Sequence, residues 1–395
     1  MPRSVQIIPV MYRPARTPFD CRHGGGEFSA VAAGLSTHED TTIGLRLPRV
    51  ASAEGTSRPR PCVAAGTARV LDLCCGLGGL SVAARDLKMQ VVAGLDVNPS
   101  ALRTFARNFP EAEAIEGSVQ SRTVLEHCRA LLDANALCVR IVLSGPPCQG
   151  FSAAGSRDPK DRRNKVLVAV AHAITRIQPD CALIENVSTV LADKHGDRLE
   201  NFKQVLANGN YYVQEVLLDA SEFGVPQKRK RAFFFVTRQL LDFDHVLELL
   251  ARHKVAPITT RDALCGLPSP VVRPDSYDDE AEMKGPANHF AMQHSKRVME
   301  KIAAIPPGTG PMSYRRLHPV RLANTLFSGH RAPPAHFDEP RSITVREAAR
   351  LQGFPDTFRV YGSFANQMEQ VTNAVPPPLA RAVLSVLVEA TELGR

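Results

Sequence analysis

Tryptophan is absent from this 395-residue sequence and aromatic residues make up 6% of it, so stacking on a ligand must rest on few side chains. The nine cysteines include no Cys-x-x-Cys pair, which argues against a zinc knuckle or a disulfide framework and favours a reducing compartment. No apolar run approaches the roughly 20 residues that cross a bilayer. We therefore expect no metal site, no disulfide and no membrane span.

The residues that are present indicate a basic globular protein. Hydrophobic residues make up 44% of the sequence and charged residues 22%, as in ordinary soluble domains, and the length suits one large domain with a smaller companion. The formal net charge of +8 favours a polyanionic partner, although a basic surface can also serve solvation alone.

Short apolar strands alternate with helical segments over residues 67–237. The apolar runs lie at 70–74, 91–95, 141–143, 181–184 and 232–236. The helical segments include 165–177 and one with Pro99, a residue favoured in the first turn of a helix. This alternation predicts an α/β fold with a doubly wound sheet. Helical patterning returns at 344–352 and 379–392.

Two regions lack this alternation. Residues 1–66 are rich in Gly, Ser, Pro and Arg and predict a disordered N-terminal extension, with a targeting segment or an early start codon as alternatives. Residues 238–330 predict a separate small domain with a basic second half. The first half, 238–283, holds five Lys and Arg residues against nine Asp and Glu residues, whereas 284–330 holds seven against one.

A glycine-rich turn follows the first predicted strand. Gly76, Gly78 and Gly79 stand between that strand and a helix, where small residues let the backbone approach a ligand. Asp96 closes the second strand about 20 residues later, where an acid can bind ribose hydroxyls. These features suit a nicotinamide enzyme as well as other nucleotide-binding enzymes, so they leave the cofactor open.

A cysteine stands at the end of the 141–143 strand. Cys148 follows Pro146 and Pro147, which stiffen the chain and place the thiol at the carboxyl edge of the sheet. A lone cysteine is ordinarily a small buried hydrophobe. Here glycines and a basic stretch follow it, and these surroundings argue against burial.

Charged residues close the next strand and open the last one. Glu185 ends the 181–184 run, and a buried glutamate is unusual without a partner, although it could be a paired structural acid. Arg229 and Arg231 would point to the same side of an extended segment, although such a charge run could also be a solvated edge.

Six sequence blocks carry a family resemblance. In order along the chain they are DLCCGLGG, GPPCQGFS, ENV, QKRKR, RSITVREAARLQGFPD and NAVPPPLA. Together they resemble the C5-cytosine-specific DNA methyltransferase family, of the bacterial restriction-modification type, from about residue 69 to 390. The resemblance implies a Rossmann-like S-adenosylmethionine-dependent methyltransferase sheet at 67–237, completed by a return segment at 331–395, with a target-recognition domain at 238–330.

The resemblance also implies a mechanism and a set of contacts. Cys148 would attack position 6 of a flipped-out cytosine as a thiolate and so activate position 5 for methylation. Glu185 would hold or protonate ring nitrogen 3, and Arg231, with Arg229 in support, would hydrogen-bond the carbonyl at position 2. Glu347 and Arg350 would tie the two domains together. The expected contacts to S-adenosyl-L-methionine are Asp72, Cys74, Gly76, Gly78, Asp96, Val97, Ser118, Pro146, Val166, Asn373 and Ala374. The expected contacts to double-stranded DNA are Gln149, Ser152, Arg163, Arg315 and Arg316.

Three positions depart from the family pattern. Cys74 stands where a phenylalanine usually contacts the adenine, Ser118 where an aspartate commonly binds the adenine amino group, and Thr372 where a glycine is usual. An aromatic contact and a hydrogen bond each contribute ~0.5–1.5 kcal/mol, so we expect an active enzyme whose cofactor binding is weakened about tenfold or more.

Three rival functions are less compatible with these motifs. A catalytically weak or inactive DNA-binding relative is disfavoured because Cys148 and Glu185 are both retained. An RNA cytosine methyltransferase is disfavoured by the run at 149–152, which points to DNA. A nicotinamide oxidoreductase has no use for the PPCQ or QKRKR motifs. We expect a monomer in the cytoplasm, associated with the nucleoid. A cognate restriction endonuclease acting separately is an open alternative.

Overall fold

The computed structural model describes residues 68–135, 138–147, 165–192, 196–272, 286–311, 314–327 and 333–391. The predicted extension at 1–66 lies outside the described residues. Four predicted site residues also lie outside them, namely Cys148, Gln149, Ser152 and Arg163.

A seven-stranded sheet forms the centre of the described chain. Its strands are β1 (Arg69–Leu73), β2 (Gln90–Asp96), β3 (Glu113–Glu116), β4 (Arg140–Ser144), β5 (Cys181–Val187), β6 (Tyr212–Asp219) and β7 (Lys230–Thr237). They lie in the order β3-β2-β1-β4-β5-β7-β6. β1 to β5 are parallel, and β7 is antiparallel to both of its neighbours. Leu73 pairs with Leu95 on one side and Ser144 on the other, so the strands of the parallel part end at one edge.

Helices cover both faces of this sheet. In the described residues they are α1 (Gly79–Asp86), α2 (Pro99–Asn108), α3 (Arg122–Asp133), α4 (Val166–Ile177), α5 (Gly196–Asn208), α6 (Phe243–Arg252), α7 (Thr260–Leu264), α8 (Lys296–Ala303), α9 (Val345–Leu351), α10 (Phe364–Asn373) and α11 (Pro377–Ala390). One buried cluster includes side chains of α1, α2, α6 and α11, and a second includes those of α3, α4 and α5. The predicted doubly wound α/β fold is confirmed.

Burial explains which strands the sequence pattern predicts. The central strands β4 and β5 are buried on both faces and are therefore continuous apolar runs. The edge strands β3 and β6 are only partly buried and contain glutamates, so neither presents a clear apolar run or alternation. The sequence pattern consequently misses both edges of the sheet.

The C-terminal helices are more apolar than the sequence analysis allowed. Phe364–Ala390, which spans α10 and α11, is long and apolar enough by composition to cross a membrane, whereas we expected no such run. However, 67% of its apolar window is buried inside the fold, where α11 packs against α1 and α6. The stretch is therefore accounted for as core packing.

Contacts from α6 and α9 join the predicted recognition region to the sheet domain. α6 packs against α11, and its Val246 and Leu250 belong to the cluster that covers one face of the sheet. At the start of α9, the Glu347 carboxylate accepts two hydrogen bonds of 2.8 Å from Arg341. Arg350 donates to Asp356 and to the Cys265 carbonyl next to α7. Arg350 thus contacts the predicted recognition region, whereas Glu347 binds Arg341 and Thr344 within the return segment, so the predicted tie between the two domains stays a prediction.

Candidate active site

A cavity of about 1290 Å³ opens at the carboxyl ends of β1, β2, β4 and β5. Ligands of open α/β sheets bind at this edge, where the loops that leave the strands surround a crevice. The start of β7 and the end of α10 complete the wall. Twelve of the predicted site residues line it, namely Cys74, Gly76, Asp96, Val97, Ser118, Pro146, Val166, Glu185, Arg229, Arg231, Asn373 and Ala374.

The glycine turn and the acid that ends β2 are held together by backbone donors. The Gly76 N–H donates to Asp96 Oδ2 at 2.8 Å, and the Asn98 N–H donates to the other carboxylate oxygen at 2.9 Å. Gly76 has a φ of +54°, and a Cβ placed on it would meet no atom within 4 Å, since it would project into open space. The turn therefore orients the Asp96 carboxylate at the cavity wall and leaves room for a ligand above the backbone.

Two residues predicted to touch the cofactor face away from the cavity. A Cβ on Gly78 would lie 2.6 Å from Cε2 of Phe109, so this glycine is needed for helix packing. Asp72 is fully buried and accepts a hydrogen bond from Ser81 at 2.7 Å. Burial raises the pKa of Asp72 to about 7. Both residues support the glycine turn from behind, and the structure gives neither a position from which it could contact a ligand in this cavity.

The three departures from the family pattern all lie at the cavity wall. Cys74 adopts a left-handed φ of +56° and lines the cavity beside the glycine turn. Ser118 lines the same region, and Thr372 lies at the end of α10. Val97, which also lines the wall, is 66% exposed.

A buried ion pair lies at the other end of the cavity. β5 and β7 are antiparallel with Val187 opposite Arg231, which makes Arg231 a diagonal neighbour of Glu185. The Arg231 Nε lies 2.8 Å from Glu185 Oε1. Burial raises the pKa of Glu185, and the charges of Arg231 and Arg229 oppose that rise. Such a carboxyl group can both accept and donate a hydrogen bond to a neutral ring that enters the cavity.

Arg229 joins the two ends of the cavity. Its side chain is almost fully buried and donates to the carbonyls of Thr372 at 3.0 Å and Ala374 at 2.9 Å. These two carbonyls flank Asn373, so the guanidinium holds the end of α10 against the start of β7. The structure thus gives Arg229 a positioning contact in addition to its place at the cavity wall.

Gln370 is a cavity residue that the sequence analysis missed. Its amide nitrogen donates to the Tyr361 carbonyl at 2.9 Å and to Ser100 Oγ at 3.3 Å. Its side-chain oxygen is buried and has no hydrogen-bond partner among the described residues. Gln370 precedes the predicted contact Asn373 by three residues on α10, and residues at this spacing share a helix face. That spacing was the available signal.

The cavity residues fit S-adenosylmethionine. Asp96 offers carboxylate oxygens for hydroxyl groups, and the buried Gln370 oxygen needs a donor such as an ammonium or hydroxyl group. The open space above Gly76 allows a ligand to approach the backbone. Among the described residues, no cluster of His, Cys, Asp and Glu could hold a metal ion.

The two arginines predicted to contact DNA have different surroundings. Arg316 donates to four backbone carbonyls, those of Ala303, Ile305, His336 and Asp338. Four of its five N–H groups are thereby occupied, so Arg316 is a structural residue, which revises the predicted DNA contact. Its neighbour Arg315 is exposed.

Comparison with known proteins decides the family. A sequence model of C-5 cytosine-specific DNA methylases matches residues 68–389, which is most of the chain. The chain belongs to the C-5 cytosine-specific DNA methylase family. The family predicted from the sequence blocks is confirmed, and with it the assignment as a cytosine DNA methyltransferase.

Individual relatives agree with this membership. The Type II methyltransferase M.AplI of Arthrospira platensis is 31% identical over 80% of this chain and 84% of its own length. The Type II methyltransferase M.XorII of Xanthomonas oryzae is 28% identical over 81% of this chain and 84% of its own length. A crystal structure of a prophage-encoded DNA modification methyltransferase from E. coli superposes with a TM-score of 0.68 at 26% identity, over 82% of this chain and all of that one.

Proposed function

We propose that this methyltransferase transfers a methyl group from S-adenosylmethionine to carbon 5 of a cytosine that is flipped out of duplex DNA, through a covalent bond to Cys148. The observation that carries the proposal is the Glu185–Arg231 pair, buried in the same cavity as the Gly76–Asp96 turn. One end of the cavity suits an uncharged heterocycle and the other a nucleoside with hydroxyl groups. A cytosine inside a duplex cannot reach such a cavity without leaving the stack.

The base end supplies polarisation of the ring. Carbon 5 of cytosine becomes nucleophilic when the Cys148 thiolate adds to carbon 6 and the electron pair moves towards the ring nitrogen and carbonyl. Glu185, whose raised pKa favours its acid form, would donate its proton to nitrogen 3. Arg231 would hydrogen-bond the carbonyl oxygen at position 2 and stabilise the negative charge that develops there. Methyl transfer would leave S-adenosylhomocysteine, and loss of the carbon 5 proton to solvent water would then re-form the 5,6 double bond and release Cys148 as its thiolate, while the proton on nitrogen 3 returns to Glu185.

The cofactor end supplies orientation. S-adenosylmethionine, when bound, provides an electrophilic methyl group on its sulfonium. Asp96 would bind the ribose hydroxyls, and Cys74, Val97 and Ser118 would surround the adenine. The Gln370 oxygen and the Asn373 side of α10 would hold the methionine portion, with Arg229 fixing that end of α10. Pro146, two residues before Cys148, and Val166, the first residue of α4, line the same cavity.

The remaining assignments concern DNA and setting. We assign target recognition to residues 238–330 and contact with the DNA backbone to Arg315, with Gln149, Ser152 and Arg163 as further DNA contacts. We propose that the protein acts on double-stranded DNA as a monomer in the cytoplasm. The names of its Type II relatives support a role in restriction-modification.

The decisive experiment is expression in a host that lacks cytosine methylation, followed by bisulfite sequencing. Wild type should protect cytosines in one sequence context, and Cys148→Ala should protect none. Glu185→Gln should lower the methylation rate on the order of 10²-fold, because the proton donor to nitrogen 3 is lost. Glu215→Gln is the matched control, since Glu215 lies on the edge strand β6 and pairs with Lys203 of α5. Unmethylated DNA in cells that contain soluble wild-type protein would favour an inactive relative. Methylated cytosines in the RNA of the same cells would favour an RNA substrate.

A further inference from the structure

A second, smaller cavity of about 130 Å³ lies beside the first, and Lys228 lines both. Its wall also carries Arg315, His318 and Arg321. No Asp or Glu occurs among the described residues that line it. We propose that this basic pocket binds one phosphate of the DNA backbone next to the target cytosine, an inference that rests on the proposed function.

The pocket is held by backbone contacts between distant segments. The Lys228 N–H donates to the Ala323 carbonyl at 2.9 Å, and the Ala323 N–H donates to the Pro226 carbonyl at 3.0 Å. The Arg321 carbonyl accepts hydrogen bonds from both the backbone N–H and the hydroxyl of Thr260. The segment 314–327, which carries Arg315, His318 and Arg321, is thus fixed to the start of β7 and to α7. A preformed site of this kind binds its ligand with little loss of conformational entropy.

Arg316 and Gly308 complete this support. The Arg316 guanidinium donates to four backbone carbonyls and so anchors the segment 314–327. Gly308 has a φ of +82°, and a Cβ on it would lie 3.0 Å from the His318 ring. The absence of that Cβ lets the ring close one side of the pocket. The basic side chains are therefore presented by a fixed frame.

The charges of the pocket are not neutralised by the described protein. Arg261 nearby in the fold pairs with Asp338 at 3.6 Å, whereas Lys228, Arg315 and Arg321 are exposed and form no ion pair with a described carboxylate. Clustered like charges repel each other, and a phosphate relieves this repulsion while it releases counterions from DNA. Because Lys228 is shared by the two cavities, the phosphate must belong to a nucleotide close to the flipped base.

The test measures how salt weakens binding to a labelled duplex that contains the methylated site. Each phosphate contact contributes about 0.9 to the slope of log affinity against log salt. Arg321→Ala and Lys228→Ala should each reduce the slope by about that amount, so their affinity should fall about 3.5-fold less than wild type between 50 and 200 mM salt. The matched control is Arg381→Ala, which removes an exposed arginine of α11 that lines neither cavity. It should keep the wild-type slope.

A duplex with a single methylphosphonate linkage identifies the phosphate. In wild type, one linkage near the target cytosine should weaken binding when its charge is removed, and Arg321→Ala should be insensitive to that same change. Unchanged slopes in Arg321→Ala and Lys228→Ala, or full sensitivity retained in Arg321→Ala, would overturn the proposal. The proposal would also be overturned if added inorganic phosphate abolished the difference in affinity between wild type and Arg321→Ala, while removal of the charge of a duplex linkage did not. Bisulfite sequencing separates the two hypotheses: methylation with unchanged slopes refutes the pocket alone, and phosphate-dependent binding without methylation refutes the activity alone.

Discussion

Replacing Arg316 by alanine removes a guanidinium that joins its own backbone segment to two others, 303–305 and 336–338. The Ile305 carbonyl at 3.0 Å and the His336 carbonyl at 3.2 Å are partly buried, whereas those of Ala303 and Asp338 are exposed. An exposed carbonyl can bind water once the arginine is gone, so only the two partly buried bonds count fully. A hydrogen bond to a charged group contributes about 1.5–3 kcal/mol, which gives a loss of ~3 kcal/mol at the lower bound.

This loss is large enough to measure by calorimetry. A change of 1 kcal/mol shifts the melting temperature of a large domain by about 2–4 °C, so a loss of ~3 kcal/mol should make Arg316→Ala melt about 6–12 °C below wild type. Arg316→Lys should recover little of the loss, because one ammonium cannot reach carbonyls on both sides as the planar guanidinium does. Arg315→Ala is the neighbouring control and should change the free energy of unfolding by no more than about 0.5 kcal/mol.

The reasoning would be refuted if Arg316→Ala melted within about 1 °C of wild type, or if Arg315→Ala lost as much stability. The first result would mean that water replaces the guanidinium at all four carbonyls. The second would mean that Arg315 has a structural role of its own. Only the first result would return Arg316 to the candidates for direct DNA contact, whereas the second would remove Arg315 as a control.

Two further predictions concern the cofactor half. The folded state holds the Asp72 proton up to a pKa of about 7, whereas the unfolded chain releases it near 3.8, so stability should fall as pH rises through this window. Asp72→Asn should therefore become more stable than wild type between pH 5 and pH 8, by up to ~4 kcal/mol in urea denaturation, and parallel stability curves for the two proteins would contradict the buried-acid account. Ser118→Asp should tighten S-adenosylmethionine about threefold to tenfold in calorimetric titration through one added hydrogen bond, whereas Ser121→Asp outside the cavity should not. Wild-type binding as tight as in typical family members would show that Cys74, Ser118 and Thr372 do not weaken the site.

The sequence alone predicts the family, the central strands and the candidate catalytic residues at their ends. β4 and β5 can be recognised in the sequence because they are buried on both faces, so their centres, 141–143 and 181–184, are unbroken apolar runs. Glu185 is recognisable because a glutamate at the end of such a buried strand is unusual unless it has a partner. The motif blocks add the order of the candidate catalytic residues, since each block is local in the chain.

Long-range packing decides which residues of a motif face the ligand. Gly76 and Gly78 both have positive φ, but only contact with Phe109, 31 positions later, shows that Gly78 serves packing while Gly76 borders open space. Arg315 and Arg316 are identical neighbours, and the carbonyls that occupy Arg316 come from 303–305 and 336–338. The sequence pattern records what each residue is and its local period. The partners of a buried or charged group come from distant segments, and only the tertiary structure brings these together.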